Sequence, residues 1–320
     1  MKTKLTILIA LILLLAALAY ITADFFFSGQ DTSSNPFDYK LEDLRRSDSL
    51  ETAYREIHHF TPGLDQISGI TTDHGDRIIV SGQGGVEVYT PEGILISKLP
   101  AEGFVRCIAI APGGKMYLGI ENYIVIMDPA GKIVGRWNPV SEKSILTSIA
   151  VHRGNIFVAD AGEKTVYRFD STGRLINRIG EKDTLSGIPG FVVPSPWFDL
   201  GIGRDDELLV VNPGRHSLEA YTPDGKLISS WGKSSMHNDG FCGCCNPSNF
   251  AVLPDGSFVT SEKGIERIKV IRPSGELDCM VAVPSQFEPG TKGLDLAVDS
   301  HERVLVLDPW KKQVRIFVRE

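Results

Sequence analysis

The sequence predicts an all-β fold: a six-bladed β-propeller that follows an N-terminal transmembrane helix and is closed by an N-terminal strand. Strand-and-turn units repeat from residue 64 onward, and an apolar run lies near the N-terminus. The turn glycines of the repeat are Gly93, Gly131, Gly173, Gly225 and Gly275, which lie 38, 42, 52 and 50 residues apart. A period of about 40 to 50 residues with several strands per unit is typical of a propeller blade.

The first predicted element is the apolar run over residues 5–21, which follows Lys2 and Lys4. Its length is at the lower limit for crossing a bilayer and exceeds the apolar region of an ordinary cleaved signal. We therefore expect an uncleaved signal anchor over residues 1–27, with cleavage after Ala19 or Ala23 as the alternative. In both cases the lysines stay in the cytoplasm, so the body of the protein is expected outside it, in the periplasm or at the cell surface.

A polar segment with scattered Gly, Pro and Ser, residues 28–52, follows the anchor. This composition is typical of a linker, and no fold is expected there. The propeller is predicted over residues 53–320.

Six copies of the third strand define the blades. They read VEVYTPEG, IVIMDPAG, VYRFDSTG, LEAYTPDG, IKVIRPSG and VRIFVRE. The last copy ends the chain at Glu320, which leaves that blade without an outer strand and with an exposed edge. The segment AYREIHHFTPG, residues 53–63, is therefore predicted to complete the sixth blade and to close the ring. Trp137 and Trp231 end outer strands at corresponding places and are expected to pack between blades.

The net charge and composition indicate which classes of partner the protein is expected to bind. The net charge is −7, with 42% hydrophobic and 23% charged residues. Nucleic acid binding requires a basic surface, so no nucleic acid partner is expected.

Units such as NIFVADAGEKTVYRFDSTGRLINRIG resemble the NHL repeat, and residues 53–320 resemble a six-bladed propeller of the NHL type. The element CCNPS is similar to one found in bacterial membrane-anchored NHL proteins. The resemblance implies the fold, but it does not imply one activity, because the family includes scaffolds, sensor domains and enzymes.

The first strands of the six blades place small polar residues or cysteine at one equivalent position, which is expected to face the central channel. These residues are Ser68, Cys107, Ser148, Asp199, Asn249 and Asp295. Asp199, Asn249 and Asp295 offer oxygens for a cation such as Ca²⁺, a mix similar to that of lactonase-type propellers. The alternative is that any water-filled channel needs a polar lining.

Three cysteines fall within four residues in the loop HNDGFCGCCNP: Cys242, Cys244 and Cys245. Three hypotheses stay open. The cysteines form disulfides, with Cys242 and Cys245 or a loop cysteine and Cys279 as the pair. They hold zinc or an iron–sulfur cluster together with Cys107 or His237. They form a redox-active thiol pair, since five cysteines leave one unpaired.

No other motif indicates catalysis, and no catalytic residue is assigned. The recurring acid or amide that closes the second strand is expected to accept hydrogen bonds from the following loop; its copies are Asp160, Asn212, Glu262 and Asp308. The sequence thus favours a binding module for a protein or small-molecule ligand, with the cysteine loop at the channel mouth. The alternative is a metal-dependent enzyme of the lactonase or hydrolase kind, or an electron-transfer protein.

Overall fold

The computed structural model describes residues 12–20, 22, 52–185 and 187–320. The chain divides into two compact units, Met1–Leu44 and Arg45–Glu320. In the first unit, residues 12–20 and 22 are helical and exposed. Among the described residues, no helix combines the length and apolarity needed to cross a bilayer. The rest of the predicted anchor, and the predicted linker up to residue 51, lie outside the described residues.

In the described part of the second unit, antiparallel strands form five sheets. The first half of the chain contributes β1 (Tyr54–Phe60), β2 (Ile67–Thr72), β3 (Ile78–Tyr89), β4 (Leu95–Ile110), β5 (Met116–Ile120), β6 (Tyr123–Met127), β7 (Ile133–Trp137), β8 (Leu146–His152), β9 (Asn155–Asp160), β10 (Thr165–Asp170) and β11 (Leu175–Ile179). The second half contributes β12 (Leu200–Ile202), β13 (Leu208–Asn212), β14 (Ser217–Tyr221), β15 (Leu227–Gly232), β16 (Asn249–Val252), β17 (Phe258–Ser261), β18 (Ile268–Ile271), β19 (Leu277–Ala282), β20 (Asp295–Val298), β21 (Val304–Asp308) and β22 (Gln313–Arg319). Short 3-10 turns lie at Pro213–Arg215 and Pro284–Gln286.

The prediction of six separate blades is wrong, because the structure has five sheets. Four sheets have four strands each, and the fifth joins β2 to β7 in one six-stranded sheet. The cause is β4, whose 16 residues pair with β3 through the first part of the strand and with β5 from Val105 to Ile110. The chain stays extended through this crossing, where the other sheets are separated by loops. Gly103, with φ of 90°, lies between the two halves of β4 and permits the change of direction.

The inner strands β2, β4, β8, β12, β16 and β20 contact one another in a closed ring. The six-stranded sheet contributes two of them, β2 and β4. Apolar cores fill the spaces between neighbouring sheets. The ring thus brings the first residues of all six inner strands to one mouth of a central channel.

The N-terminal strand closes the ring, as the sequence predicts. β1 pairs antiparallel with β22 from Tyr54 opposite Arg319 to Phe60 opposite Val314. The sheet order β1-β22-β21-β20 covers the edge that β22 would otherwise expose.

Packing of the two tryptophans between sheets is also confirmed. The Trp137 ring on β7 lies 5.4 Å from the Phe169 ring on β10 of the next sheet. The Trp231 ring on β15 lies 5.4 Å from that of Phe258 on β17. Gly173, with φ of 90°, lies under Trp137, where a Cβ would come within 2.5 Å of the indole nitrogen. A side chain at this turn would therefore disrupt the contact between sheets.

Candidate functional site: the channel mouth and the cysteine loop

The predicted polar positions link each inner strand to the next one. The Ser68 hydroxyl on β2 donates to the Arg106 carbonyl on β4 at 2.8 Å. The Ser148 hydroxyl on β8 donates to the Leu200 carbonyl on β12 at 3.2 Å. These two side chains therefore hold neighbouring inner strands together.

The acidic positions make the same kind of link. An Asp199 oxygen accepts the Phe250 N–H at 2.9 Å, and an Asp295 oxygen accepts the Ile70 N–H at 2.8 Å. The Asn249 amide donates to the other Asp295 oxygen at 3.1 Å. Five of the six predicted residues therefore stabilise the ring at its centre. The sequence alone predicted only that these residues line the channel.

The sixth position, Cys107, belongs to the packing. Its side chain is buried in the apolar cluster with Leu146 and Ile149. Burial raises the pKa of the Cys107 thiol well above its usual range. A neutral thiol among aliphatic side chains behaves as a small hydrophobe.

The two channel carboxyls have raised pKa values. Burial raises the pKa of Asp199 to about 6. Burial, with the added charge of Asp199, raises the pKa of Asp295 to about 8. Asp295 therefore keeps its proton near neutral pH. The Asn249 Oδ1 atom is buried and has no hydrogen-bond partner in the part of the chain that the structure describes, and rotating this amide would present that oxygen to the Asp295 proton.

These residues suit Ca²⁺ poorly. Both oxygens of Asp199 accept backbone N–H groups, and both oxygens of Asp295 accept hydrogen bonds as well. Ca²⁺ needs six to eight oxygens, including ionised carboxylates. The calcium site therefore stays a prediction that this geometry does not favour.

A cavity of about 250 Å³ opens at the channel mouth. It is lined by Ile67, Ser68, Phe104, Arg106, Thr147, Pro196, Trp197, Phe198, Asn249, Lys292, Gly293, Asp295 and Pro309. Arg106 Nε is buried and has no hydrogen-bond partner among the described residues. Sequence reasoning missed Arg106, although it directly precedes Cys107 in the inner-strand pattern RCIAIAP. It also missed Trp197, which lies in a loop that the repeat does not contain.

The cysteine loop connects β15 to β16 and is held by two buried cations. Arg267 donates to the Asn238 side chain at 2.6 Å and to the Gly240 carbonyl at 3.1 Å. Lys269 donates to the Asn238 carbonyl at 3.0 Å and also to the Gly240 carbonyl. The loop is therefore fixed without any covalent link.

Glu262 balances the two cations. Its carboxylate lies 2.6 Å from Arg267 Nε and 2.9 Å from Lys269 Nζ, and all three side chains are at most 3% exposed. It also accepts the Cys242 N–H at 3.4 Å. Glu262 is one of the recurring residues that close the second strand, and the other three also accept N–H groups from loops: Asp160 from Gly162, Asn212 from Val192 and Asp308 from Lys311. The predicted hydrogen bond from the following loop is confirmed for Asp160 and Asp308, whereas Asn212 and Glu262 accept N–H groups from the loops that precede the inner strands of their sheets.

All five cysteines are free thiols in this structure. Cys242 is buried 3.9 Å from Glu262, and burial together with this carboxylate raises its pKa. The Cys244 and Cys245 sulfurs lie 2.9 Å apart. Cys279 is not part of the cysteine loop. It lies on β19 and packs against the apolar cluster that contains Tyr54. The structure thus singles out Cys244 and Cys245 as a pair.

Metal-ligand geometry is found elsewhere. In the described part of the chain, one group of three residues brings possible metal-ligand atoms within 4.8 Å of one another. It consists of Asp76, Asp299 and His301. The loop cysteines do not converge in this way, and His237 is exposed. A zinc or iron–sulfur centre at the loop stays a prediction.

The fold and the site define the chain as a β-propeller with a cavity of mixed polar and apolar lining at the mouth of its channel. The sequence matches no protein-family model and no curated protein. Solved structures do match. A streptogramin B lyase structure is 12% identical with a TM-score of 0.61, over 83% of this chain and 98% of that one.

Two further structures support the same fold. Virginiamycin B lyase from Staphylococcus aureus is 15% identical with a TM-score of 0.57, over 80% of this chain and 82% of that one. The WD40 β-propeller domain of Doa1 is 13% identical with a TM-score of 0.57, over 84% and 98%. Identities this low show the fold alone.

Proposed function

We propose that the protein is a membrane-tethered, extracytoplasmic binding module of the NHL type that holds a small organic anion at the channel mouth. The observation that carries this proposal is the Arg106 guanidinium. A buried donor without an acceptor costs free energy, and a guanidinium is suited to carboxylate or phosphate. A bound anion would supply the missing acceptor.

The surroundings of Arg106 fit a small ligand with both an acid group and an apolar part. Lys292 is exposed at the rim and adds a second positive charge. Phe104 and Trp197 supply aromatic surface. A volume of about 250 Å³ lies just below the range of about 300 to 1,000 Å³ common for ligand pockets, which favours a small molecule.

Asp295 does not oppose an anion at neutral pH, because its raised pKa keeps it uncharged. The cavity lining then carries two positive charges and no negative one. Affinity for an anion is therefore expected to fall as the pH rises above about 8.

Binding is favoured over the enzyme alternative by the chemistry of the lining. Among the described residues that line the cavity there is no histidine or cysteine, and the Ser68 hydroxyl donates to a backbone carbonyl. A nucleophile with an adjacent base is the usual requirement for covalent catalysis. The lyase activity of two structural matches belongs to those proteins and is not transferred at this identity.

Replacing Arg106 with methionine is expected to weaken binding of a small carboxylate about ten- to a hundredfold, since a hydrogen bond to a charged group contributes about 1.5–3 kcal/mol. The probes are aromatic and aliphatic monocarboxylates, each compared with its uncharged amide. Ligands that bind only the folded state raise the melting temperature, so a thermal shift of the full-length protein in detergent measures binding.

The matched control is Arg204→Met, which removes an arginine outside the cavity whose side chain contacts the Asp255 carbonyl. This variant should bind as the wild type does. Equal binding of carboxylates and amides, or full affinity in the Arg106 variant, would exclude the proposed anion site.

Membrane tethering has its own test. Full-length protein is expected to stay in the membrane fraction after an alkaline carbonate wash, and to be degraded by protease added to intact spheroplasts. Release of the protein by the wash would exclude the anchor, and protection from protease would exclude an extracytoplasmic propeller. Neither result depends on ligand binding.

A further inference from the structure

Cys244 and Cys245 form an asymmetric dithiol. The Cys244 side chain is exposed and Cys245 is buried, with the two sulfurs 2.9 Å apart. An external reagent therefore reaches the Cys244 sulfur first, and the Cys245 sulfur lies in contact with it.

Two polar side chains lie beside the buried sulfur. Lys263 Nζ donates to the Ser195 hydroxyl at 2.8 Å, and both groups adjoin Cys245. Burial opposes ionisation of Cys245, but hydrogen bonds from Cys244, Ser195 and Lys263 outweigh it and lower its pKa. The pKa of Cys244 is raised, mainly because its thiol forms a hydrogen bond with the Cys245 sulfur. When the pair loses one proton, the negative charge is therefore favoured on the Cys245 sulfur.

The backbone around the pair is fixed. The Asn246 side chain, which is 1% exposed, donates to the Cys242 carbonyl at 2.7 Å and to the Lys263 carbonyl at 2.9 Å. It also accepts the Lys263 N–H at 2.9 Å. Together with the cation network around Glu262, these bonds keep both sulfurs and Lys263 in register.

We propose that Cys244 and Cys245 are a dithiol–disulfide exchange site, in which the exposed Cys244 attacks a substrate disulfide and Cys245, held by Lys263 and Ser195, resolves the intermediate. In the first step the proton between the two sulfurs passes to Cys245, the Cys244 thiolate attacks R–S–S–R, and one RS⁻ leaves and takes a proton from water. The product is a mixed disulfide at Cys244.

In the second step Cys245 loses its proton to water and its thiolate attacks the Cys244 sulfur. The bond between Cys244 and the substrate sulfur breaks, and the second RS⁻ leaves and is protonated. The protein dithiol is oxidised by two electrons to a disulfide between adjacent residues, and the substrate disulfide is reduced to two thiols. A disulfide between adjacent residues closes a strained ring, and strained or exposed disulfides are readily reduced again, so the reaction is reversible.

The test uses the full-length reduced protein in detergent, with oxidised glutathione as the disulfide. We expect the loss of two titratable thiols, and a peptide containing Cys244 and Cys245 that resists alkylation and has lost two hydrogens by mass spectrometry. The Cys245→Ser variant should instead accumulate a stable glutathione adduct on Cys244. The Cys244→Ser variant should react much more slowly, because its remaining sulfur is buried.

Lys263→Met tests the positioning role of the lysine. Without the ammonium, the release of the second glutathione should move to higher pH, because the Cys245 thiolate loses its positive neighbour. Cys279→Ser removes a cysteine of β19 and is the matched control, which should react as the wild type does. The melting temperature of each variant establishes whether it is folded. If a variant does not fold, alkylation of the native wild type replaces it as the test, and Cys244 should be modified before Cys242.

Four results would overturn the inference. The first is a wild type that keeps all five thiols after treatment. The second is a wild type that holds glutathione on Cys244 without resolving it. The third is a new bond that joins Cys242 instead of Cys245. The fourth is an unchanged pH profile in the Lys263 variant, which would overturn the assignment of Lys263 to the site.

Discussion

Replacing Glu262 with glutamine is expected to destabilise the cysteine loop by about 3–5 kcal/mol, because it leaves two buried cations without their counter-charge. Glu262 contacts both Arg267 and Lys269, and none of the three side chains is more than 3% exposed. Burial already lowers the pKa of Lys269, and Glu262 partly offsets this effect. In the variant Lys269 would lose its proton more readily, so the destabilisation should decrease at alkaline pH.

Cys242 reports on this change, since it is buried directly against Glu262. Its alkylation rate under native conditions should rise in the variant, and the midpoint of urea unfolding should fall. The matched control is Glu320→Gln, which removes an exposed ion pair with Arg55 and should cost below about 1 kcal/mol. If the two variants unfold at the same midpoint and Cys242 stays protected in both, the buried network does not hold the loop.

Replacing Asp295 with asparagine is expected to make stability less dependent on pH. The folded-state pKa of Asp295 is raised to about 8, above its value in the unfolded chain. Between the two values the folded protein binds more protons than the unfolded one, so the free energy of unfolding falls as the pH rises, by at most about 1.4 kcal/mol per pH unit. Asparagine does not titrate and should remove this contribution.

The measurement is the melting temperature of wild type and variant between about pH 5 and about pH 8. The variant should gain on the wild type steadily as the pH rises. Asp170→Asn is the matched control: hydrogen bonds from Thr172 and Arg174 lower the pKa of Asp170, so this carboxyl is ionised throughout that range and its loss should cost the same at each pH. A difference between wild type and Asp295→Asn that does not change with pH would show that Asp295 is ionised in the folded state.

The repeat pattern was sufficient to predict most of the fold. Alternating strands and turn glycines recur in sequence, and the missing outer strand of the last unit identified residues 53–63 as its replacement. The fused sheet could not be predicted this way, because LPAEGFVR has the composition of a loop. Whether such a segment leaves the sheet or stays extended depends on the partners that β3 and β5 offer it.

The site was predicted less completely, for a related reason. Polar residues at equivalent positions of the inner strands were found, because the repeat aligns them. Arg267 and Lys269 lie in IERIKVI, which reads as an ordinary strand with exposed charges. Only the fold shows that these charges point into the cysteine loop and are buried there. Arg106 was missed in the same way, since its role depends on residues from other strands that line the cavity.

The closing strand has a mechanical consequence. Before β1 begins, Thr52 forms a bridge with Met280 on β19, and the Ala53 N–H donates to the Met280 carbonyl at 3.0 Å. β1 is then held to β22 by antiparallel pairing from Tyr54 to Phe60. Tension applied to the chain at Thr52 is therefore borne by the Met280 contact and by the seam that closes the ring. Because the pull runs along the strand, the hydrogen bonds of that seam are loaded together in shear, with the Glu56–Arg315 ion pair adding resistance on the same strand. Ring closure thus depends on the first strand of the propeller, so the ring cannot open at this seam without releasing β1.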